Sequence, residues 1–485
     1  MPAAQTNTMP NETELRAAYD AAGQLHVFAF WDRLSAEERE AFLAQLERID
    51  PAHVNRIVAK ALEADAAARS GQDARVDPPP ADSIVAMPQN DPAPYRARGL
   101  EAVGAGQVGV LLLAGGQGTR LGSSDPKGCY NIGLPSGKSL FQLQAERVAR
   151  LQKLAEGGSK PVVPWYIMTS GPTRGPTEQF FEKHNYFGLD KNNVIFFEQG
   201  TLPCISNEGK ILLDAPGRVA TAPDGNGGLY AALRAPLAPG SSDNVLSDLE
   251  KRGVKYLHAY GVDNCLVKVG DPVFLGVCID RNVATGVKVV CKTDPNESVG
   301  VVALRNGRFS VVEYSEIPKE LAQARDESGE LKMRAANIAN HFYTTEFLAR
   351  DVPNFESEMA YHVARKKIPT IDANGERFKP DTPNGIKLEL FIFDVFPHVD
   401  RLAIHEVPRK EEFSPLKNAP GTGSDDPETS RRDLLSEHRR WLTEAGATVA
   451  EGAAVELSPH VTYAGEGLES FSGRKFDQTV NVESS

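Results

Sequence analysis

The chain has 485 residues, more than one ordinary domain needs and enough to bury a large core. Its formal charge of −12 argues against general nucleic-acid or membrane-surface binding, which would favour a basic face. No apolar stretch approaches a membrane span and the N-terminus lacks a signal-peptide core, so a cytoplasmic protein with no nucleic-acid and no membrane partner is expected. The five cysteines (Cys129, Cys204, Cys265, Cys278, Cys291) lack C-x-x-C spacing and read as free thiols in a reducing compartment.

In chain order, the first ten residues read as a disordered tail. From about Leu15 to Ala68 the pattern is helical. Ser35-x-x-Glu38 forms a capping box, and Phe42, Leu43, Leu46 and Ile49 share one helical face as a packing layer. Gly71 to Pro94, with Pro78-Pro79-Pro80, disfavours helix and ladder alike and reads as a linker or a draped segment. From about Leu100 to Val395 the pattern is α/β. Pro164 to Thr169 and Val194 to Phe197 read as buried strands around a helical Glu178 to His184. A helix over Leu246 to Lys251 stops at Gly253, and Lys255 to Val262 is the next strand. Val299 to Arg305 and Arg308 to Tyr314 flank Asn306-Gly307, a hairpin signal. Beyond about Pro397, a helix carrying Leu434, Leu435, His438, Trp441 and Leu442 precedes β-like segments. The expectation is a mixed, mostly parallel sheet of Rossmann-like type with helices on both faces. The predicted domains are a helical N-terminal region with its Pro-rich linker over 1–99, a central α/β domain over 100–396 and a small α+β C-terminal domain over 397–485.

The most informative stretch is Leu113-Ala114-Gly115-Gly116-Gln117-Gly118-Thr119-Arg120-Leu121-Gly122, followed by Pro126-Lys127. It begins where the apolar run Val108 to Leu113 ends, as a buried parallel strand would. Closely spaced glycines there let main-chain N–H groups face a phosphate or a base edge, and Arg120 and Lys127 add cations. Neither common glycine motif is present: Leu121 stands where a dinucleotide fingerprint needs its third glycine, and Ile132 where a P-loop needs its first. The loop therefore reads as a nucleoside triphosphate site of another kind.

This loop with Pro126-Lys127-Gly128 resembles the nucleotide loop of the eukaryotic-type UDP-N-acetylhexosamine pyrophosphorylases. Further segments match in order: Phe197 to Gly200, Pro223 to Tyr230, Val262 to Val269, Val312 to Ile317, Asn337 to Phe342, Gly385 to Lys387, Phe391 to Asp394 and Phe413 to Ala419. The resemblance spans roughly residues 15 to 470. It implies a central nucleotidyltransferase domain that converts UTP and an N-acetylhexosamine 1-phosphate, N-acetylglucosamine 1-phosphate first, into UDP-sugar and pyrophosphate, with Mg²⁺ as cofactor. Another or broader sugar preference, and an inactive nucleotide-sugar sensor, are the alternatives; a homodimer is an open expectation.

In-line attack on the α-phosphorus asks the protein to align two polyanions and offset their repulsion. Arg120 and Lys127 suit the triphosphate and the leaving pyrophosphate. Lys387 and Lys417 could clamp the attacking phosphate and the α-phosphate, and the resemblance puts Lys417 on the sugar-phosphate side. Asp263, just past a strand, is the expected Mg²⁺ carboxylate, with Asp271 as its rival. The resemblance assigns the nucleotide to Leu113, Ala114, Gly115, Gly116, Gln199 and Gly225, with main chain at Ala114-Gly115 and the Gln199 side chain suited to the uracil edge. It assigns the sugar to Asn226, Glu313, Asn337, Phe391 and Phe393, the last two expected to alternate with Ile392 in a strand near the N-acetyl group.

Overall fold

A computed structural model describes residues 11–69, 75–87, 89–157 and 160–483. The expected ten-residue tail and the first part of the Pro-rich segment lie outside them. The chain divides into two compact units: a larger one, Ala74–Glu198, Leu229–Ser357 and Val395–Ser485, and a smaller one, Met1–Asp73, Gln199–Gly228 and Glu358–Asp394.

The larger unit is built on a mixed sheet of eleven strands among the described residues. Along its main path the order is Ile84–Ala86, Ala403–Val407, Thr285–Cys291, Ala335–Thr344, Tyr256–Gly261, Val108–Leu113, Trp165–Thr169 and Val194–Glu198. Ala335–Thr344 runs antiparallel to both neighbours, and every other pairing on this path is parallel. Val108–Leu113 is buried throughout, as its continuous apolar run requires of a central parallel strand. The chain leaves this strand for Trp165–Thr169 on one side and returns as Tyr256–Gly261 on the other. The carboxyl end of Val108–Leu113 is thus a topological switch point, where open α/β sheets bind ligands.

Local signals explain most element ends. Asn306 and Gly307 both take positive φ (52° and 79°), as a two-residue hairpin between Val301–Arg305 and Arg308–Val312 needs. Gly253, at φ 72°, ends the helix Val245–Arg252. Two expectations change. The helix expected over Glu178 to His184 begins at Gly171, because Pro172 sits in its first turn and Ser170 and Thr173 cap it. The Pro-rich segment, expected to avoid ladders, contributes Val76–Asp77 and Ile84–Ala86 to sheet edges; its three consecutive prolines fall between these short strands.

In the smaller unit, helices Glu12–Ala21, Ala36–Glu47 and Pro51–Arg69 enclose Tyr19, Phe28, Trp31, Phe42 and Leu46. Their apolar faces pack on Ile205, Leu213, Val219, Ile386 and Leu388 from two other segments of this unit. The Ser35 capping box forms, with Glu38 N donating to Ser35 Oγ at 3.2 Å and Ser35 N to Glu38 Oε2 at 2.8 Å. Gly385–Glu389 is the middle strand of a small antiparallel sheet with His362–Lys366 and Ile205–Ser206.

Under the sheet of the larger unit, Phe181 is fully buried, with its ring centroid 5.0–5.5 Å from those of Phe141, Trp165, Phe187 and Phe196. Phe181→Ala should destabilise this unit by about 3–5 kcal/mol in chemical denaturation, through lost transfer energy and the cavity left behind. A loss under about 1 kcal/mol would show that the cluster does not hold that face of the sheet.

Candidate active site

The glycine loop leaves the switch point of the larger unit and folds back on itself. Ala114 N donates to Met168 O, Gly118 N to Asp125 O, and Lys127 N to Gly116 O. Gln117 and Pro126 pair as an isolated antiparallel bridge. The Gly115 carbonyl accepts from Ser170 Oγ at 2.7 Å. A Cβ at Gly116 would meet nothing within 4 Å, and this residue is not among those with positive φ. No neighbour in the chain therefore demands a glycine there; the clearance over the main chain is what an approaching phosphate or base needs. Arg120 lies exposed in the short 3₁₀ turn Thr119–Leu121. Cys129, beside the loop, has its thiol pushed up to about 12 by burial and then by Asp125, so it is no thiolate at neutral pH.

The strand Tyr256–Gly261 ends beside Val108–Leu113, with Gly261 opposite Leu113, and Asp263 follows at once. Its carboxylate reaches Lys127, Asp263 Oδ2 lying 3.7 Å from Lys127 Nζ. Lys127 Nζ also donates to Leu416 O at 3.0 Å, which brings the Phe413–Ala419 motif to the same place. Leu416 N donates to Asp263 O, Cys265 N to Ser414 O, and Ser414 N to the Asn264 side chain. These bonds fix the two motifs together and leave Lys417 exposed at the end of the ladder. Arg120, Lys127, Asp263 and Lys417 thus belong to one unit, and three segments distant in sequence converge on the Lys127 ammonium.

Asp271, the rival carboxylate, is 4 % exposed and occupied at both oxygens. Oδ2 accepts from Lys288 Nζ at 2.7 Å, and Oδ1 accepts from Val273 N at the start of the helix Pro272–Asp280. Burial pushes its pKa up, but Lys288 and Lys268 outweigh that and hold it well below the carboxylate range. Asp263, with a third of its side chain exposed, is the accessible one of the two.

Glu313 and Asn337, also in the larger unit, flank Gly300. Asn337 N donates to Gly300 O at 2.9 Å, and Glu313 Oε1 lies 3.3 Å from where a Cβ on Gly300 would stand. Beside Asn337 the pairing with Thr285–Cys291 shifts register, and Ala339 adopts φ 55° while its N–H donates to Asn337 Oδ1. A non-glycine residue in the left-handed region at a bulge marks a place where the strand has been re-aimed.

Gln199, Gly225, Asn226, Lys387, Phe391 and Phe393 lie in the smaller unit. The loop Asp224–Gly228 is zipped to the segment after Glu389: Leu390 N donates to Asp224 O, Gly227 N to Leu390 O, and Ile392 N to Asn226 Oδ1. Gly225 has φ 89°, and a Cβ there would lie 2.2 Å from Leu390 O, so this glycine serves chain packing as well as any ligand. Phe391 and Phe393 are not in a strand, which ends at Glu389. Asp394 Oδ2 accepts from Phe391 N and bends the chain into a turn. The turn still sets the two half-buried rings side by side, centroids 5.2 Å apart. Lys387 is half-buried on Gly385–Glu389; burial pushes the nearby Cys204 thiol up to about 11, with the Lys387 charge opposing it.

Asp224 carries no role in the sequence reading, although its motif does. It is 9 % exposed, its Oδ1 has no hydrogen-bond partner among the described residues, and burial pushes its pKa up to about 6. A Cβ on Gly228 would lie 1.9 Å from its Oδ1, and one on Gly200 2.5 Å from its Oδ2. Two of the motif glycines therefore make room for this carboxylate, and the neighbouring Gly225 carbonyl accepts from Gln199 Nε2 at 3.4 Å.

Comparison with known proteins agrees with this geometry. Residues 53–466 match the family described as UTP–glucose-1-phosphate uridylyltransferase. The chain is 46 % identical over 482 residues to the UDP-N-acetylglucosamine pyrophosphorylase of Saccharomyces cerevisiae, covering 96 % of this chain and 98 % of that one. It is 44 % identical over 502 residues to the human UDP-N-acetylhexosamine pyrophosphorylase-like protein 1, covering 98 % of each. The crystal structure of the Trypanosoma brucei uridine diphosphate N-acetylglucosamine pyrophosphorylase, solved with an inhibitor, superposes with a TM-score of 0.84 at 35 % identity, over 96 % of this chain and 95 % of that one. With the glycine loop, Lys127, Asp263 and Lys417 in one unit and these relatives matched nearly end to end, the chain belongs to the UTP–glucose-1-phosphate uridylyltransferase family, among its UDP-N-acetylhexosamine pyrophosphorylases.

Proposed function

We propose that the chain joins UTP and N-acetylglucosamine 1-phosphate into UDP-N-acetylglucosamine, releasing pyrophosphate. The observation that carries this reading is the Lys127 ammonium, set at the switch point against Leu416 O and Asp263, beside main chain that stays open at Gly116. The relatives named above supply the substrate class.

In the reaction, a phosphate oxygen of the sugar 1-phosphate forms a bond to the α-phosphorus of UTP. The bond from that phosphorus to the bridging oxygen of the β-phosphate breaks, and pyrophosphate leaves with the electron pair. A phosphate monoester is largely dianionic at neutral pH, so the attacking oxygen needs no general base. What the chain must provide is alignment and positive charge. Lys127 uses one of its three N–H donors on Leu416 O, which aims the remaining two. Arg120 and Lys417, both exposed, add cations that bind the triphosphate and the sugar phosphate. Gln199, whose Nε2 donates to Gly225 O at 3.4 Å, reads the uracil edge, and the paired rings of Phe391 and Phe393 suit an N-acetyl methyl. Glu313 and Asn337, gathered at Gly300, offer acceptors and donors to sugar hydroxyls.

Asp263 is our candidate for holding Mg²⁺. The donor set fits a cation shared with substrate: the carboxylate is accessible, and the described residues contain no cluster of three or more His, Cys, Asp or Glu able to hold a metal ion. Phosphate oxygens and water would complete its shell. A bound Mg²⁺ supplies charge neutralisation on the reacting phosphates.

Incubated with UTP, Mg²⁺ and a panel of sugar 1-phosphates, the protein should release pyrophosphate fastest with N-acetylglucosamine 1-phosphate. Activity confined to glucose 1-phosphate, or none with any sugar phosphate, would contradict the proposal. Asp263→Asn should shift half-maximal activity to at least tenfold higher Mg²⁺, with little change in melting temperature. Superimposable Mg²⁺ titrations of wild type and variant would reject Asp263 as the metal carboxylate.

A further inference from the structure

Behind the segment that ends in Leu416 and Lys417 lies a buried ion network that the proposed chemistry does not use. Lys288, 1 % exposed on the central strand Thr285–Cys291, bonds Asp271 Oδ2 at 2.7 Å and Glu412 Oε2 at 2.9 Å. The other oxygen of Glu412 takes Lys268 Nζ at 3.0 Å. Glu412 is 5 % exposed and joins three pieces of chain: a sheet strand, the loop that follows Asp263, and its own segment. Glu437 also faces Lys268, and burial pushes its pKa up to about 8.

Burying two lysines and two acids is a poor way to gain stability, since well-packed apolar groups of the same volume are often as good. Its merit is geometric, because ionised partners in low dielectric tolerate few alternative arrangements. Glu412 begins the ladder described above. Its carbonyl accepts from Asn264 Nδ2 at 2.6 Å, and the same Asn264 receives Ser414 N through Oδ1. Ser414 O then accepts Cys265 N, and Leu416 N reaches Asp263 O. Four residues after the anchored carboxylate, the Leu416 carbonyl meets Lys127 Nζ.

We infer that Glu412 is a positioning residue: its double ion pair to Lys268 and Lys288 sets the register of the segment to Lys417, and thereby the aim of the Lys127 and Lys417 ammonium groups. The inference rests on the reading of those two lysines as phosphate cations.

The test compares Glu412→Asp with Glu146→Asp. Glu146 pairs with buried Lys138 at 2.9 Å in a separate network of the same unit, so each variant shortens one buried carboxylate by a methylene while keeping its charge. Glu412→Asp should lower kcat at least tenfold, with KM for UTP and for the sugar phosphate changing less than about threefold. Amide hydrogen exchange at Leu416 and Lys417 should accelerate at least tenfold. Glu146→Asp should lower the melting temperature to a similar extent, with kcat within twofold of wild type and no faster exchange at those amides. Activity that falls alike in both variants, or Glu412→Asp with wild-type kcat, overturns the inference. Should the wild type fail to turn over the proposed substrates, the exchange rates still decide whether Glu412 sets this segment.

Discussion

The Lys127 ammonium donates to the carbonyl of Leu416, and much of the site depends on that hydrogen bond. A lysine on a glycine loop is ordinarily a mobile surface charge with a large rotamer entropy. Here it is 17 % exposed, tethered to a carbonyl 289 residues away in sequence and faced by the carboxylate of Asp263. The tether fixes the ammonium in place, which on the proposed reading preorganises its charge for the developing transition state. The sheet order brings this about. Asp263 stands beside the glycine loop because Tyr256–Gly261 is the parallel neighbour of Val108–Leu113.

Charge in this protein is arranged locally rather than globally. A chain of net charge −12 would repel UTP at a distance, yet Arg120, Lys127 and Lys417 come from one end of one sheet region and from the segment laddered to it. Of the acidic residues on the segments around them, Asp271 and Glu412 are paired with buried Lys288, while Asp263 faces Lys127. The four buried histidines His258, His341, His405 and His438 are held neutral, their pKa values lowered chiefly by burial to about 3–4. They serve packing and hydrogen bonding, as His258 does by accepting from Gly270 N.

Features written in consecutive residues were legible in the sequence. The Ser35 capping box, the Asn306-Gly307 turn, the helix stop at Gly253 and the apolar strand before the glycine loop each depend on local stereochemistry alone. The ordered motifs carried the family. Where tertiary context decides, the sequence was silent or misleading. Pro-rich composition hid Ile84–Ala86, because a three-residue edge strand can pair between prolines that a long one could not accommodate. Alternating aromatics suggested a strand at Phe391–Phe393, yet the side chain of Asp394 bends that segment into a turn. Asp271 and Asp263 were rivals on paper; the buried Lys288 that separates them lies on another strand. Asp224 went unnoticed because its signal, space cleared by Gly200 and Gly228, exists only in three dimensions.

The central claim is that Lys127 is a preorganised cation for uridylyl transfer rather than a structural tie between two loops. Single-turnover kinetics of Lys127→Ala under saturating UTP and sugar phosphate test it most directly. The account predicts a loss on the order of 10²–10³ in the rate of pyrophosphate formation, typical of removing one transition-state donor, with a melting temperature close to that of wild type. An unchanged rate in a variant that melts several degrees lower would contradict it.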